Sequence, residues 1–190
     1  MAALSGGRFE VLARPLPGVL LLATRPQQDE RGWFVRAFCQ RELAALGVER
    51  EMAQANLSRS TRQGTLRGLH YQTGTSAETK LVRCVQGALW DVVLDLRPHS
   101  PSFGRHFAAE LSAANHRLMV VPEGCAHGLL TLADDTLACY FVSACYDPAR
   151  ERGVRWNDPA FAIPWPFPPA VISARDASHP DYCSDQQSAG

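Results

Sequence analysis

The sequence lacks an excess of charge of either sign: among 190 residues, 19 lysines and arginines face 19 aspartates and glutamates, a formal net charge of zero. Surfaces that hold nucleic-acid polymers or anionic lipid carry a cationic excess, so neither nucleic acid nor membrane is expected as a partner. No run of about 18 apolar residues is present, the length a membrane-spanning helix needs. The longest near the start, Val19-Leu20-Leu21-Leu22-Ala23, is far shorter. It has no basic segment before it and no cleavage pattern after it, so it does not read as a signal peptide, and a cytoplasmic protein beginning at Met1 is expected. Cysteine is present but unpatterned. Positions 39, 84, 125, 139, 145 and 183 contain no Cys-x-x-Cys pair, which favours free, mostly buried thiols over bridges or a zinc cluster. A Gly-x-Gly-x-x-Gly fingerprint is missing too, so nothing points to a dinucleotide cofactor. What remains, 46% hydrophobic and 20% charged, is ordinary globular composition. One domain over residues 1–182 is expected, with 183–190 as a disordered tail.

Strand signals dominate. Residues 81–85 and 88–96 are apolar and β-branched, and Gln86-Gly87 between them reads as a hairpin turn. In the second run Ala88, Trp90, Val92, Leu94 and Leu96 share a face, with Asp91, Asp95 and Arg97 on the other, the alternation of a half-buried strand. Further strands are expected at 18–23, 32–38, 118–121, 128–132 and 137–146, with turns at 27–31, 122–124 and 134–135. Only residues 40–46 carry a helical pattern, with Gly47 to close it. Many short strands and one short helix predict an all-β antiparallel sandwich or barrel. The proline-rich stretch 163–169 cannot continue a central strand and reads as a surface connection.

Two constellations stand out. Arg67-Gly68-Leu69-His70-Tyr71-Gln72 precedes the strongest strands, and Pro122-x-Gly124-x-x-His127 follows them. Together they resemble the paired motifs of the cupin superfamily, a double-sheet jelly-roll barrel. Metal-binding cupins have a second histidine where this chain has Gln72. An amide is a poor transition-metal ligand, so no metal and no cofactor are expected, and a metal-dependent oxygenase is disfavoured. A lone histidine is more often a surface or hydrogen-bonded core residue. Arg67 and Lys80 nearby argue that His70 moves protons, the job imidazole side chains in general suit at cytosolic pH. Tyr140 and Tyr146, six apart on one expected strand, would share a face.

The chain resembles the dTDP-4-dehydrorhamnose 3,5-epimerase family from about residue 17 to 180. The stretches that carry the likeness are Asp29-Glu-Arg-Gly32, the 67–72 motif, Lys80-Leu-Val-Arg-Cys84, Asp91-Val-Val-Leu-Asp-Leu-Arg97, Ser100-Pro-Ser-Phe-Gly104, Val121-Pro-Glu-Gly-Cys-Ala-His-Gly128, Trp156-Asn-Asp158 and Ile172-Ser-Ala-Arg-Asp176. The resemblance implies epimerisation, without a cofactor, at C3, C5 or both of a nucleotide-linked 4-keto-6-deoxyhexose. It implies His70 as the base, Asp176 as the acid that pairs with its ring, Lys80 at the C4 oxygen and Tyr140 as the proton donor. Arg31, Gln54, Asn56, Arg67, His127, Glu151 and Arg175 match substrate contacts, and Tyr146 matches an aromatic that stacks on the base. Phe34 and Arg36 stand at uncertain contacts, since Arg36 occupies a place that is usually acidic. A mono-epimerase and a non-catalytic sugar-nucleotide-binding cupin are the alternatives. A homodimer is implied, with residues 18–23 short and apolar enough for an edge strand that completes the partner's sheet.

Overall fold

The computed structural model describes residues 8–183. In chain order its strands are β1 (Phe9–Ala13), β2 (Leu20–Thr24), β3 (Gln27–Asp29), β4 (Gly32–Phe34), β5 (Gln54–Ser60), β6 (Thr65–Gln72), β7 (Lys80–Gln86), β8 (Ala88–Asp95), β9 (His106–Ser112), β10 (Arg117–Val121), β11 (Cys125–Thr131), β12 (Thr136–Val142), β13 (Glu151–Gly153) and β14 (Val171–Ile172). Helix α1 (Gln40–Ala44) precedes β5, and α2 (Ala174–Ala177) follows β14. Six strands form one sheet in the order β1-β2-β10-β7-β12-β5. The facing sheet runs β13-β6-β11-β8-β9, with β14 added to β6, and β3–β4 is a separate hairpin. This is the expected all-β double-sheet barrel of the cupin type.

Three apolar layers hold it together. Leu89 and Val93 of β8 meet Val82 of β7 and Met119 and Val121 of β10 between the sheets. Outside the second sheet, Leu69, Val92, Leu94 and Ala126 are covered by Val154, Phe161 and Ile163. Outside the first, Leu22, Leu81 and Leu118 are covered by Leu43 of α1 and by Val48. Gly47 closes α1: Gly47 N–H donates to Ala44 O and Val48 N–H to Leu43 O, which satisfies its last carbonyls.

Several expectations change. Gln86-Gly87 is not a hairpin turn, because β7 and β8 lie in different sheets. Gly87, at φ 74°, turns the chain from one sheet to the other, and a Cβ there would meet Thr136 Oγ1 at 2.6 Å. Strand β8 is buried on both faces rather than half-buried. Its acidic face points inward with Leu89 and Val93, because the 154–163 segment covers the other face. Asp95 is fully buried there, and accepts from Arg97, Ser100 and Ser102 side chains. Burial pushes its carboxyl up, but those donors outweigh this and hold it far below the usual carboxylate range.

The strand expected over 137–146 ends at Val142, where the chain bends and Ser143 Oγ accepts from Thr79 N–H. The strand expected over 32–38 ends at Phe34. Residues 18–23 contribute β2, an interior strand covered by β1, so the sheet edges are β1 and β5. The proline-rich stretch forms no strand, as expected, yet Ile163 is buried in the outer layer. Cysteines 39, 84, 125, 139, 145 and 183 are free; only Cys84 and Cys125 are buried. Of the tail expected over 183–190, residues 184–190 lie outside the described residues.

Candidate active site

The site is built around β6. One extra residue in β6 shifts its register against β11: His70 pairs with His127, and Arg67 with Leu129. Residues three apart on a regular strand face opposite ways; this bulge brings Arg67 and His70 onto one cavity. It depends on Gly68, where a Cβ would stand 2.6 Å from the Cα of Gly128 on β11. The outer edge of β6 is closed by β13 beside residues 70–72 and by β14 beside residues 65–66.

Strand β14 leads directly into α2, where Ser173 Oγ caps the helix by accepting from Asp176 N–H. That cap sets Asp176 beneath the His70 ring, Nε2 to Oδ1 at 2.8 Å, and Asp176 also accepts from Gly68 N–H. Asp176 is almost fully buried. Burial pushes its carboxyl up, but the hydrogen bond and charge of His70 outweigh this, with help from Gly68 and Ser173, and leave it at about 2. An ionised Asp176 only accepts, so the Nε2–H of His70 donates to it and the Nδ1 lone pair is left for a proton.

The facing sheet supplies Lys80 at the start of β7 and Tyr140 on β12. Lys80 Nζ donates to the His70 carbonyl at 3.3 Å and pairs with Glu78 at 3.2 Å. Burial pushes the Tyr140 phenol up, partly offset by Arg67 and reinforced by Glu78, so it stays protonated at neutral pH. His70, Lys80 and Tyr140 line both lobes of one cleft. The larger lobe, about 610 Å³, adds Arg67, His127, Arg175 and Asp176. The smaller, about 300 Å³, adds Gln54, Asn56, Tyr146 and Glu151.

At the mouth, Arg175 makes a bidentate pair with Glu151, whose Oε2 also accepts from the Tyr146 hydroxyl. Burial pushes the Glu151 carboxyl up, and Arg175 and Tyr146 more than reverse it. Tyr146 arrives from the bend after β12, not from the strand shared with Tyr140, and its N–H is held by Gln54 Oε1. Gln72 is also accounted for: its amide donates to Ser76 O and Cys145 O and accepts from Asp147 N–H.

Three expected contacts are not brought to the cleft. Arg31 pairs with Asp29 on the exposed β3–β4 hairpin, and Phe34 ends the same hairpin, 58% exposed. Arg36 pairs with Glu42 of α1 at 3.2 Å. Arg36 thus finds its counter-charge within the chain, not at the cleft.

Sequence reasoning also missed three groups. Asp91, read as a strand's polar face, is fully buried and accepts from His127 Nε2 at 2.8 Å. Glu78 stands two residues before Lys80, a visible acid–base spacing. His179 follows α2, its ring edge-on to that of His70 with centroids 6.4 Å apart; no local pattern announces it.

The matching family model is that of dTDP-4-dehydrorhamnose 3,5-epimerase, and it aligns over residues 13–183. The chain belongs to that family. It is an isomerase of this type. A dTDP-4-dehydrorhamnose 3,5-epimerase of Sinorhizobium fredii is 42% identical over 166 residues, 87% of this epimerase chain and 85% of the relative. A dTDP-4-dehydrorhamnose 3-epimerase of Streptomyces niveus is 39% identical over 166 residues, 86% and 80% of the two chains. The crystal structure of the Bacillus anthracis 3,5-epimerase with TDP and PPi bound superposes with a TM-score of 0.89 at 40% identity. It covers 92% of this epimerase and 99% of its own chain. No helix among the epimerase's described residues is long and apolar enough to cross a membrane.

Proposed function

We propose that the protein epimerises C3 and C5 of a dTDP-linked 4-keto-6-deoxyglucose by proton transfer through an enolate. A C–H bond beside a ketone is acidic because its anion delocalises onto the oxygen. His70 Nδ1 takes that proton, and Asp176 holds the imidazole and stabilises the imidazolium, as the third member of a triad does. Lys80 donates to the C4 oxygen as negative charge develops there. Tyr140 returns a proton from the opposite face of the ring, which inverts the carbon. The His70 proton and the Tyr140 phenolate then re-equilibrate with solvent. The observation that carries the reading is the one cleft that joins the His70–Asp176 pair to Lys80 and Tyr140 on the facing sheet. Arg67 and Arg175 suit the diphosphate, because the planar guanidinium fork matches phosphate oxygens. Tyr146, exposed beside the smaller lobe, suits stacking on the base.

The protein works as a homodimer in this reading, with the β3–β4 hairpin of one protomer reaching the cleft of the other. Its support is that Arg31 and Phe34 are exposed and away from their own cleft. The reaction belongs in the cytoplasm, where free thiols such as these persist.

The test is incubation with dTDP-4-keto-6-deoxyglucose in D₂O, with C3 and C5 followed by NMR. Exchange at both carbons is expected. Exchange at one carbon alone makes it a mono-epimerase, the activity in the Streptomyces niveus relative's name. No exchange at either carbon leaves a binding module and ends the epimerase reading.

A further inference from the structure

One histidine beside the proton-transfer set, His179, has no part in the mechanism. His70, Asp176 and His179 each offer a metal-ligating atom, and these atoms all lie within 4.8 Å of one another. His179 Nε2 is buried and has no hydrogen-bond partner among the described residues. A buried imidazole nitrogen without a partner is costly, and here it lies beside a second imidazole and a carboxylate. Asp176 supplies the carboxylate oxygen of the set.

We propose that His70, Asp176 and His179 form a binding site for a divalent transition cation, Zn²⁺ foremost, and that the bound ion inhibits the enzyme. Two imidazoles and one carboxylate form a recurrent zinc donor set that leaves a fourth position open. Zinc bonds of about 2.0–2.2 Å put tetrahedral ligands about 3.5 Å from one another, so the widest separation closes by about 1 Å while the His70–Asp176 pair, at 2.8 Å, opens by somewhat less, both within the reach of side-chain rotation. Arg175 lies 3.5 Å from His70 Nε2, but its charge is matched by its bidentate pair with Glu151. This site is distinct from a cupin metal centre, since Gln72 and His127 take no part in it. A bound ion occupies the imidazole that would take the substrate proton. That inhibition rests on His70 as the base, whereas the binding does not.

The test begins with Co²⁺ added to the EDTA-stripped full chain. One equivalent should give the intense visible absorption of low-coordinate Co²⁺, displaced by Zn²⁺. His179→Gln should lower metal affinity at least 10–100-fold, about the effect of disturbing a metal's surroundings. Its D₂O exchange in EDTA should match wild type and should resist a zinc concentration that halves the wild-type rate. Absent Co²⁺ binding, or binding undiminished in His179→Gln, overturns the site. Stoichiometric binding that is lost in His179→Gln but never slows exchange upholds the site and overturns the inhibition. If His179→Gln does not fold, wild-type histidine ring NMR decides. Zinc must shift His70 and His179 and leave His99 and His106 unmoved; the reverse pattern overturns the site.

Discussion

Strand β6 and the β3–β4 hairpin both carry residues expected to meet substrate, and they are held in opposite ways. Strand β6 has β11 on one side and β13 and β14 on the other, so the backbone around His70 is fixed by three partners. The hairpin is a sheet of two strands with every residue exposed, and Arg31 is held only by Asp29 within it. A proton transfer needs atoms placed to a fraction of an ångström, which buried strands provide. A contact to a distal part of a ligand tolerates an arm that is completed by something outside the chain. In the proposed reading, chemistry sits where packing is dense, and the exposed hairpin is left for binding.

The sharpest way to break this contrast is His70→Gln. The exchange rate should fall about 10²–10⁴-fold, the usual contribution of a positioned base, with KM little changed; NMR in D₂O reads it, and near wild-type exchange would end the role of β6. Next, Tyr140→Phe should cut net epimerisation about 10²-fold while deuterium still enters at the carbon His70 deprotonates. Equal loss of both signals would show that the phenol is not a separate acid. Third, Arg31→Ala should raise KM about 10–100-fold, the value of a charge-assisted hydrogen bond of about 1.5–3 kcal/mol, with kcat unchanged. Mixing Arg31→Ala with His70→Gln should restore low-KM turnover, because a mixed dimer contains one intact site. No restoration would mean the hairpin serves its own chain.

The fourth effect is on stability. Asp176 is at about 2 when folded against 3.8 otherwise, so below pH 4 the unfolded chain binds more protons. Its contribution, about 2 kcal/mol by linkage, is fully present above pH 4 and lost as pH falls towards 2. Urea unfolding at several pH values should show that slope in wild type and not in Asp176→Asn. The smallest effect is that of Arg36→Ala. A partly exposed ion pair is worth about 1 kcal/mol or less, so stability should barely move and KM not at all. A raised KM would place Arg36 at a substrate after all.

Read from the sequence alone, the fold class and most of the cleft were accessible, because strand alternation and the 67–72, 80–84, 122–127 and 172–176 stretches are local signals. Pairing was not. Gln86-Gly87 looks the same whether a strand folds back in its own sheet or crosses to the facing one; only the burial of both faces of β8 distinguishes them. The same burial hid Asp91, because an acid on an alternating strand reads as solvated until His127 is seen to receive it. Tyr146 does not share a strand with Tyr140, since β12 ends before it; its place beside the cleft was legible only through the family resemblance. His179 joins its neighbours only through the turn after α2.

The His70–Asp176 pair bridges 106 positions in sequence, and this has a consequence for the order of folding. Contacts between distant segments form late and slowly, because the intervening loop must close first. Cap, parallel strand and carboxylate all belong to the last part of the chain, so a growing polypeptide has its lysine and tyrosine in place before its histidine acquires a partner. A chain halted short of residue 173 would lack both Arg175 and Asp176, and its His70 imidazole would have no carboxylate to orient it. The His70–Asp176 pair therefore forms only once the C-terminal segment lies along β6.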